Sequence, residues 1–222
     1  MMAERVIFDI TNSKDYLNGD RDYYNGLAAN CVELLDDLLI LIERTPILKQ
    51  LEYRYVNLLV MLRFVDVEYG YLKDIVDNLR RTKGQEICPV ELLMHLKNYL
   101  VHIDSFIDYL DGFLEVLDED GDIHCRFDRK AIQEFELINE TRNQIHHESL
   151  PTVDYNHYSI ASAHADLGAR QEVYEIRFRW PLTKQPVDSI DLDTLLRTTK
   201  DAVTNQFEKV IMYLKSEMKN RL

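Results

Sequence analysis

The run Leu51-Glu52-Tyr53-Arg54-Tyr55-Val56-Asn57-Leu58-Leu59-Val60-Met61-Leu62 decides how this chain folds. With Leu48 before it, its apolar side chains recur at Leu51, Tyr55, Leu58, Leu59 and Leu62, in steps of mostly three and four. Those steps gather on one stripe of an α-helix, whereas a half-buried strand alternates at every second residue. Followed in both directions until the pattern breaks, the stripe predicts a long helix from about Ile47 to Thr82, stopped by Lys83-Gly84.

Toward the N-terminus, Asp20 or Asp22 can cap a helix from Asp22 to Arg44 that buries Leu27, Leu34, Leu35, Leu38, Leu39 and Ile42 and ends at Thr45-Pro46. Residues 1 to 20 read as an irregular arm. Toward the C-terminus, Pro89 suits the first turn of a third helix reaching about Leu117, closed by Asp118-Glu119-Asp120-Gly121-Asp122. A fourth helix is expected from about Asp128 to Glu148.

After Leu150-Pro151 the period changes. Tyr174, Ile176, Phe178 and Trp180 alternate with Glu175, Arg177 and Arg179, the pattern of a strand with one buried face. Its partner is expected around Tyr155 to Ala163, with Leu167-Gly168-Ala169 near the turn. Asp188 or Asp191 then starts a last helix carrying Leu195, Leu196, Val203, Phe207, Val210, Ile211 and Leu214. The expectation is a mainly α chain, an up-and-down helical bundle forming one domain over 1–222, with a small β-hairpin inserted at about 155–180.

Composition agrees with that class. Apolar residues make up 46% of 222 positions, and seven glycines with five prolines are too few for a turn-rich β-sandwich. The longest apolar run, Leu38 to Ile42, lies between Asp37 and Glu43 and is far short of the roughly 20 residues a membrane-spanning helix requires. No membrane span is expected. The N-terminal stretch lacks the features of a secretory signal, and Cys31, Cys88 and Cys125 suit neither a disulfide framework nor a zinc site. A reducing cytoplasm is the expected home. A formal charge of −13 repels nucleic acid over most of the surface, so any RNA contact must rest on a local basic patch.

The stretch Asn139-Glu140-Thr141-Arg142-Asn143-Gln144-Ile145-His146-His147-Glu148 concentrates polar and reactive side chains on a single helical segment. At helical spacing Asn139 stacks on Asn143, Arg142 on His146 and Asn143 on His147. Arg142-Asn143-Gln144-Ile145-His146-His147 resembles the signature of the HEPN superfamily, an arginine, very often followed by asparagine, then a histidine after four to six intervening residues near a helix end. The setting is similar too, a late helix of a helical bundle with a further helix after it.

That resemblance implies a metal-independent endoribonuclease, without a cofactor, working as a homodimer that brings two motifs together. RNA cleavage by attack of the 2′-hydroxyl requires a proton acceptor and a cation beside the phosphorane. The resemblance assigns these roles to His147 and Arg142, with Asn143 orienting the histidine or the backbone. His146, one residue short of the family spacing, is given a supporting role. The family subgroup modified by a partner nucleotidyltransferase has a tyrosine two places after the histidine, where this chain has Ser149. An inhibitory or regulatory protein partner is a further expectation.

Arg177 and Arg179, with Arg126, Arg129 and Lys130 near the start of the motif helix, are the candidates for a basic RNA-binding patch; ordinary solvated charge is the plainer reading. The competing account of the motif is structural, with histidines favoured at a helix C-terminus and Arg142 in an ion pair. Glu136, Glu140 and Glu148 are not three or four residues from Arg142, so a partner would have to come from another helix. Such a pair, buried in one subunit, would favour a catalytically silent module that binds a nucleotide or protein. An open cleft would favour the nuclease. His95 and His102 share a helix face without a third metal ligand and read as core or interface residues. Tyr69, Tyr71, Tyr99, Tyr109 and Phe113 read as core or interface aromatics. The acidic loop from Asp118 to Asp122 lacks the alternating ligands of a calcium loop.

Overall fold

The computed structural model describes residues 34, 37, 38, 40, 43, 44, 50–83, 85, 88–119, 123–125, 139, 142, 143, 152–161, 170–179 and 190–221; within the strands, side chains are described at 175–177 and 191. The described chain is mainly α. Helix α1 spans Gln50–Thr82, α2 spans Pro89–Glu119 and α3 spans Leu192–Arg221, with strands β1 (Thr152–Ala161), β2 (Arg170–Arg179) and β3 (Ile190–Asp191) between α2 and α3. Leu34, Asp37, Leu38, Ile40, Glu43 and Arg44 are helical, as are Asn139, Arg142 and Asn143. The other residues of the helices expected at 22–44 and 128–148 lie outside the described set.

The periodic stripe faces inward. Leu51, Tyr55, Leu58 and Leu59 are fully buried and Leu62 nearly so. The end of α1 falls after Thr82 as expected, with Lys83 in the left-handed conformation at φ of 52°. Its amide donates to the Arg80 carbonyl at 3.4 Å. At the other side of this connection Pro89 takes the first helical position of α2, where its missing N–H costs nothing, and the Leu92 amide closes the first turn on the Cys88 carbonyl at 3.1 Å.

The described residues divide into two compact units, one drawn from positions up to 60, 106–127 and 204–222, the other from 61–105 and 128–203. In the first, Tyr55 packs on Phe113 with ring centroids 5.5 Å apart, and Phe106 meets Phe207 edge to face at 5.5 Å. Leu34, Leu38, Leu110, Leu114, Ile211 and Leu214 fill the rest of this core. Arg54 Nη1 donates to the Gly112 carbonyl at 2.8 Å, and a Cβ at position 112 would lie 2.6 Å from that nitrogen. The absence of a side chain at Gly112 is what admits the guanidinium.

In the second unit α1 and α2 run antiparallel: Phe64 lies against His102, while Glu68 reaches His95 and Asn98. α1 and α3 are antiparallel as well, since Asp66 pairs with Lys200 and Arg80 pairs with Asp193 at 2.7 Å. Leu72, Leu79, Leu96, Leu100, Leu192 and Leu196 are buried in this core. The Tyr99 hydroxyl, also buried, lies 2.8 Å from Thr199 Oγ1, and Thr199 donates back to the Leu195 carbonyl at 2.7 Å. Every buried polar atom of that pair is thereby satisfied.

The sheet has the order β1-β2-β3, antiparallel throughout, from Thr152 opposite Arg179 to Ala161 opposite Arg170. Arg177 and Phe178 also pair with Asp191 and Ile190 of β3. Ile176 is buried while Glu175 and Arg177 are half-buried, which matches the alternation of the sequence. β3 leads directly into α3, and Asp191 caps it: Oδ2 accepts from the Thr194 amide at 2.9 Å and from the Thr194 hydroxyl at 2.8 Å.

Candidate functional site

Arg142 and Asn143 sit on helical backbone in the second unit, and the structure brings them into direct contact. Arg142 Nη2 donates to Asn143 Oδ1 at 3.0 Å, and Asn143 Nδ2 donates onward to Asn139 Oδ1 at 3.4 Å. The second link uses the one-turn spacing legible in the sequence. Together the two asparagines give the guanidinium a supporting arm along its own helix.

The partner on the other guanidinium nitrogen comes from α2. Arg142 Nη1 is ion-paired with Asp104 Oδ2. Both side chains are partly exposed, Arg142 at 29% and Asp104 at 23%. A guanidinium has five N–H donors in a fixed plane, and the contacts to Asp104 and Asn143 use two of its nitrogens. Such a cation, held at two points and still reached by solvent, carries the planar fork of donors that matches an oxyanion.

His146 and His147 lie outside the described residues, as do Arg126, Arg129 and Lys130. Of the expected basic patch, Arg177 is described with its side chain, and its Nε pairs with Glu175 Oε2 at 2.8 Å along one face of β2. Arg179 stands at the end of the β1–β2 ladder, opposite Thr152.

Two further groupings of ionisable side chains emerge in the second unit. His95 Nδ1 lies 2.6 Å from Glu68 Oε2, Asn98 Nδ2 donates to Glu68 Oε1 at 3.2 Å, and the Tyr71 ring stacks on His95 at 4.8 Å. His102 packs its ring 5.2 Å from Phe64, and burial pulls its pKa below the ordinary imidazole value against the opposing pull of Glu68. Among the described residues no group of three or more His, Cys, Asp or Glu side chains is placed to hold a metal ion. Tyr99 and Phe113 belong to the core, whereas Tyr71 and Tyr109 are exposed.

The second grouping is the Asp66–Lys200 pair, with the Lys200 ammonium also 5.8 Å from the Tyr69 ring centroid. Burial pushes the Asp66 carboxyl up to about 7 and the Lys200 ammonium down to about 8. No short-range pattern announces either this pair or Asp104, because each joins residues on separate helices. Among the described residues no helix is long and apolar enough to cross a membrane. No protein-family model, curated protein or solved structure matches the chain.

Proposed function

We propose that the chain is a metal-independent endoribonuclease of the HEPN kind, cutting RNA by attack of a 2′-hydroxyl on the neighbouring phosphate. The observation that supports it is the chain of contacts Asn139, Asn143, Arg142, which holds a partly exposed guanidinium four and five positions before His146 and His147 in the sequence. In this reading His147 moves protons at the 2′-oxygen and the leaving 5′-oxygen, and Arg142 neutralises the charge that develops on the phosphorane. His146 assists, Asn143 orients Arg142, and Arg126, Arg129, Lys130, Arg177 and Arg179 guide the RNA backbone. Two copies of the chain supply two motifs to one substrate. The enzyme acts in the cytoplasm, in defence, stress response or RNA turnover, under the restraint of a regulatory protein partner.

A second reading, a catalytically silent module that binds a nucleotide or protein, is favoured by the pairing of both described candidate cations with carboxylates of the same chain. Cleavage of a mixed RNA pool in the presence of EDTA separates the two. The nuclease predicts cleavage by the wild type that His147→Ala abolishes at matched dimer content. Equal inactivity of the two proteins would favour the module, and metal-dependent cleavage indifferent to the substitution would overturn the mechanism.

A further inference from the structure

Arg142 is held twice, and the two contacts differ in kind. The Asn143 amide oxygen, backed by Asn139, fixes the direction of the guanidinium without altering its charge. The Asp104 carboxylate adds an opposite charge at Nη1. A carboxylate needed only for support would sit beneath the guanidinium, shielded from solvent. Asp104 instead shares the surface with it, at 23% exposure against 29%. Water therefore reaches both members of the pair. A carboxylate offers the same pair of oxygen acceptors to an arginine as two oxygens of a phosphodiester.

We propose that Asp104 is an internal stand-in for the RNA phosphate at Arg142, which substrate must displace, so that Asp104 restrains binding. This rests on the ribonuclease reading above. While Asp104 is in place, the charges of the pair cancel and an incoming phosphate also meets a like charge. Displacement is feasible because an ion pair open to solvent is weak, its Coulomb attraction being offset by hydration and by the cost of fixing two side chains. A phosphodiester that engages several cations at once outcompetes a single carboxylate, whereas an isolated phosphate contact does not. Asp104 thus discriminates in favour of RNA long enough to engage further cations, and against mononucleotides.

The test measures binding without turnover. A fluorescently labelled single-stranded RNA with 2′-O-methyl groups throughout cannot be cut by 2′-hydroxyl attack, and its fluorescence anisotropy reports affinity for the full chain. Asp104→Asn keeps the shape of the side chain and removes its charge; Asp104→Ser is a second variant should the first fold poorly, with circular dichroism as the check. The expected result is binding roughly three- to five-fold tighter than wild type for either variant, the affinity equivalent of one exposed ion pair. The gain should vanish when Arg142→Ala is added, and adenosine monophosphate should compete better against the variants than against wild type. Affinity equal to or below wild type, or a gain that survives Arg142→Ala, overturns the restraint and leaves the ribonuclease reading standing. Absence of RNA binding by wild type and variants alike overturns both.

Discussion

Asp66 of α1 and Lys200 of α3 form an ion pair inside the second unit, with side-chain exposures of only 12% and 17%. Asp66 Oδ2 has no hydrogen-bond partner among the described residues. Removing one member of a pair this sheltered leaves a charge with little water and no counter-ion. We expect Lys200→Met to destabilise the protein by about 3 kcal/mol in urea unfolding, and Asp66→Asn combined with Lys200→Met to recover most of that loss. Equal losses in the single and double variants would mean that the pair is solvated in solution.

The Lys200→Met protein should also reverse the ordinary dependence of stability on pH in one window. Burial raises the Asp66 carboxyl from 3.8 to about 7 with Lys200 in place, and loss of the opposite charge raises it further, so across that range the folded variant binds more protons than the unfolded one. The contribution is present in full below pH 3.8 and is lost as pH rises through about 7 and beyond. Unfolding midpoints for Lys200→Met relative to wild type should therefore be closer at pH 5 than at pH 8, and a gap independent of pH would contradict the assignment.

At Arg142 a conservative change should behave as a severe one. Lysine retains the charge but lacks the planar fork that Asn143 orients and that offers parallel donors to a phosphate. Arg142→Lys is expected to lose about 100-fold or more in RNA cleavage rate, close to Arg142→Ala, while its unfolding midpoint stays near wild type. Activity within a few-fold of wild type would mean that a point charge suffices at this position.

Two helical glycines should respond differently to the same substitution. A Cβ at Gly70 meets nothing within 4 Å, so Gly70→Ala is expected to stabilise by about 0.5–1 kcal/mol through reduced freedom of the unfolded chain. At Gly112 the new methyl displaces Arg54 Nη1 from its carbonyl contact. Gly112→Ala should forfeit that gain, and thermal unfolding of the two variants side by side reads the contrast.

The sequence made the described helices legible because their signals are local. The stripe of Leu51, Tyr55, Leu58, Leu59 and Leu62 needs only the helical period, Pro89 only the tolerance of a first turn, and Asp191 only the reach of a carboxylate to an amide three residues on. The end of α1 at Thr82 was legible from Lys83-Gly84, and Lys83 takes the left-handed turn. Side-chain pairs between helices carry no such signature. The lack of a helical neighbour for Arg142 pointed to a partner from elsewhere, yet nothing in spacing singled out Asp104, 38 residues away. Glu68 and His95, 27 residues apart, meet because two long helices run antiparallel in a particular register. Within the motif, the contact between Asn139 and Asn143 was legible for the opposite reason, being a single turn apart.

Asp191 belongs to two periodic structures at once, as a rung of the ladder opposite Arg177 and as the cap of α3. No spacer residue separates them, so a strand with a repeat of two and a helix with a repeat of 3.6 are geared together at one position. Inserting or deleting a single residue at this junction would turn the helix by about 100° relative to the strand and swing Leu195 and Leu196 out of the core. The joint constrains length as well as side chains, which makes 190–192 a segment where insertions should be absent from any functional variant of this chain.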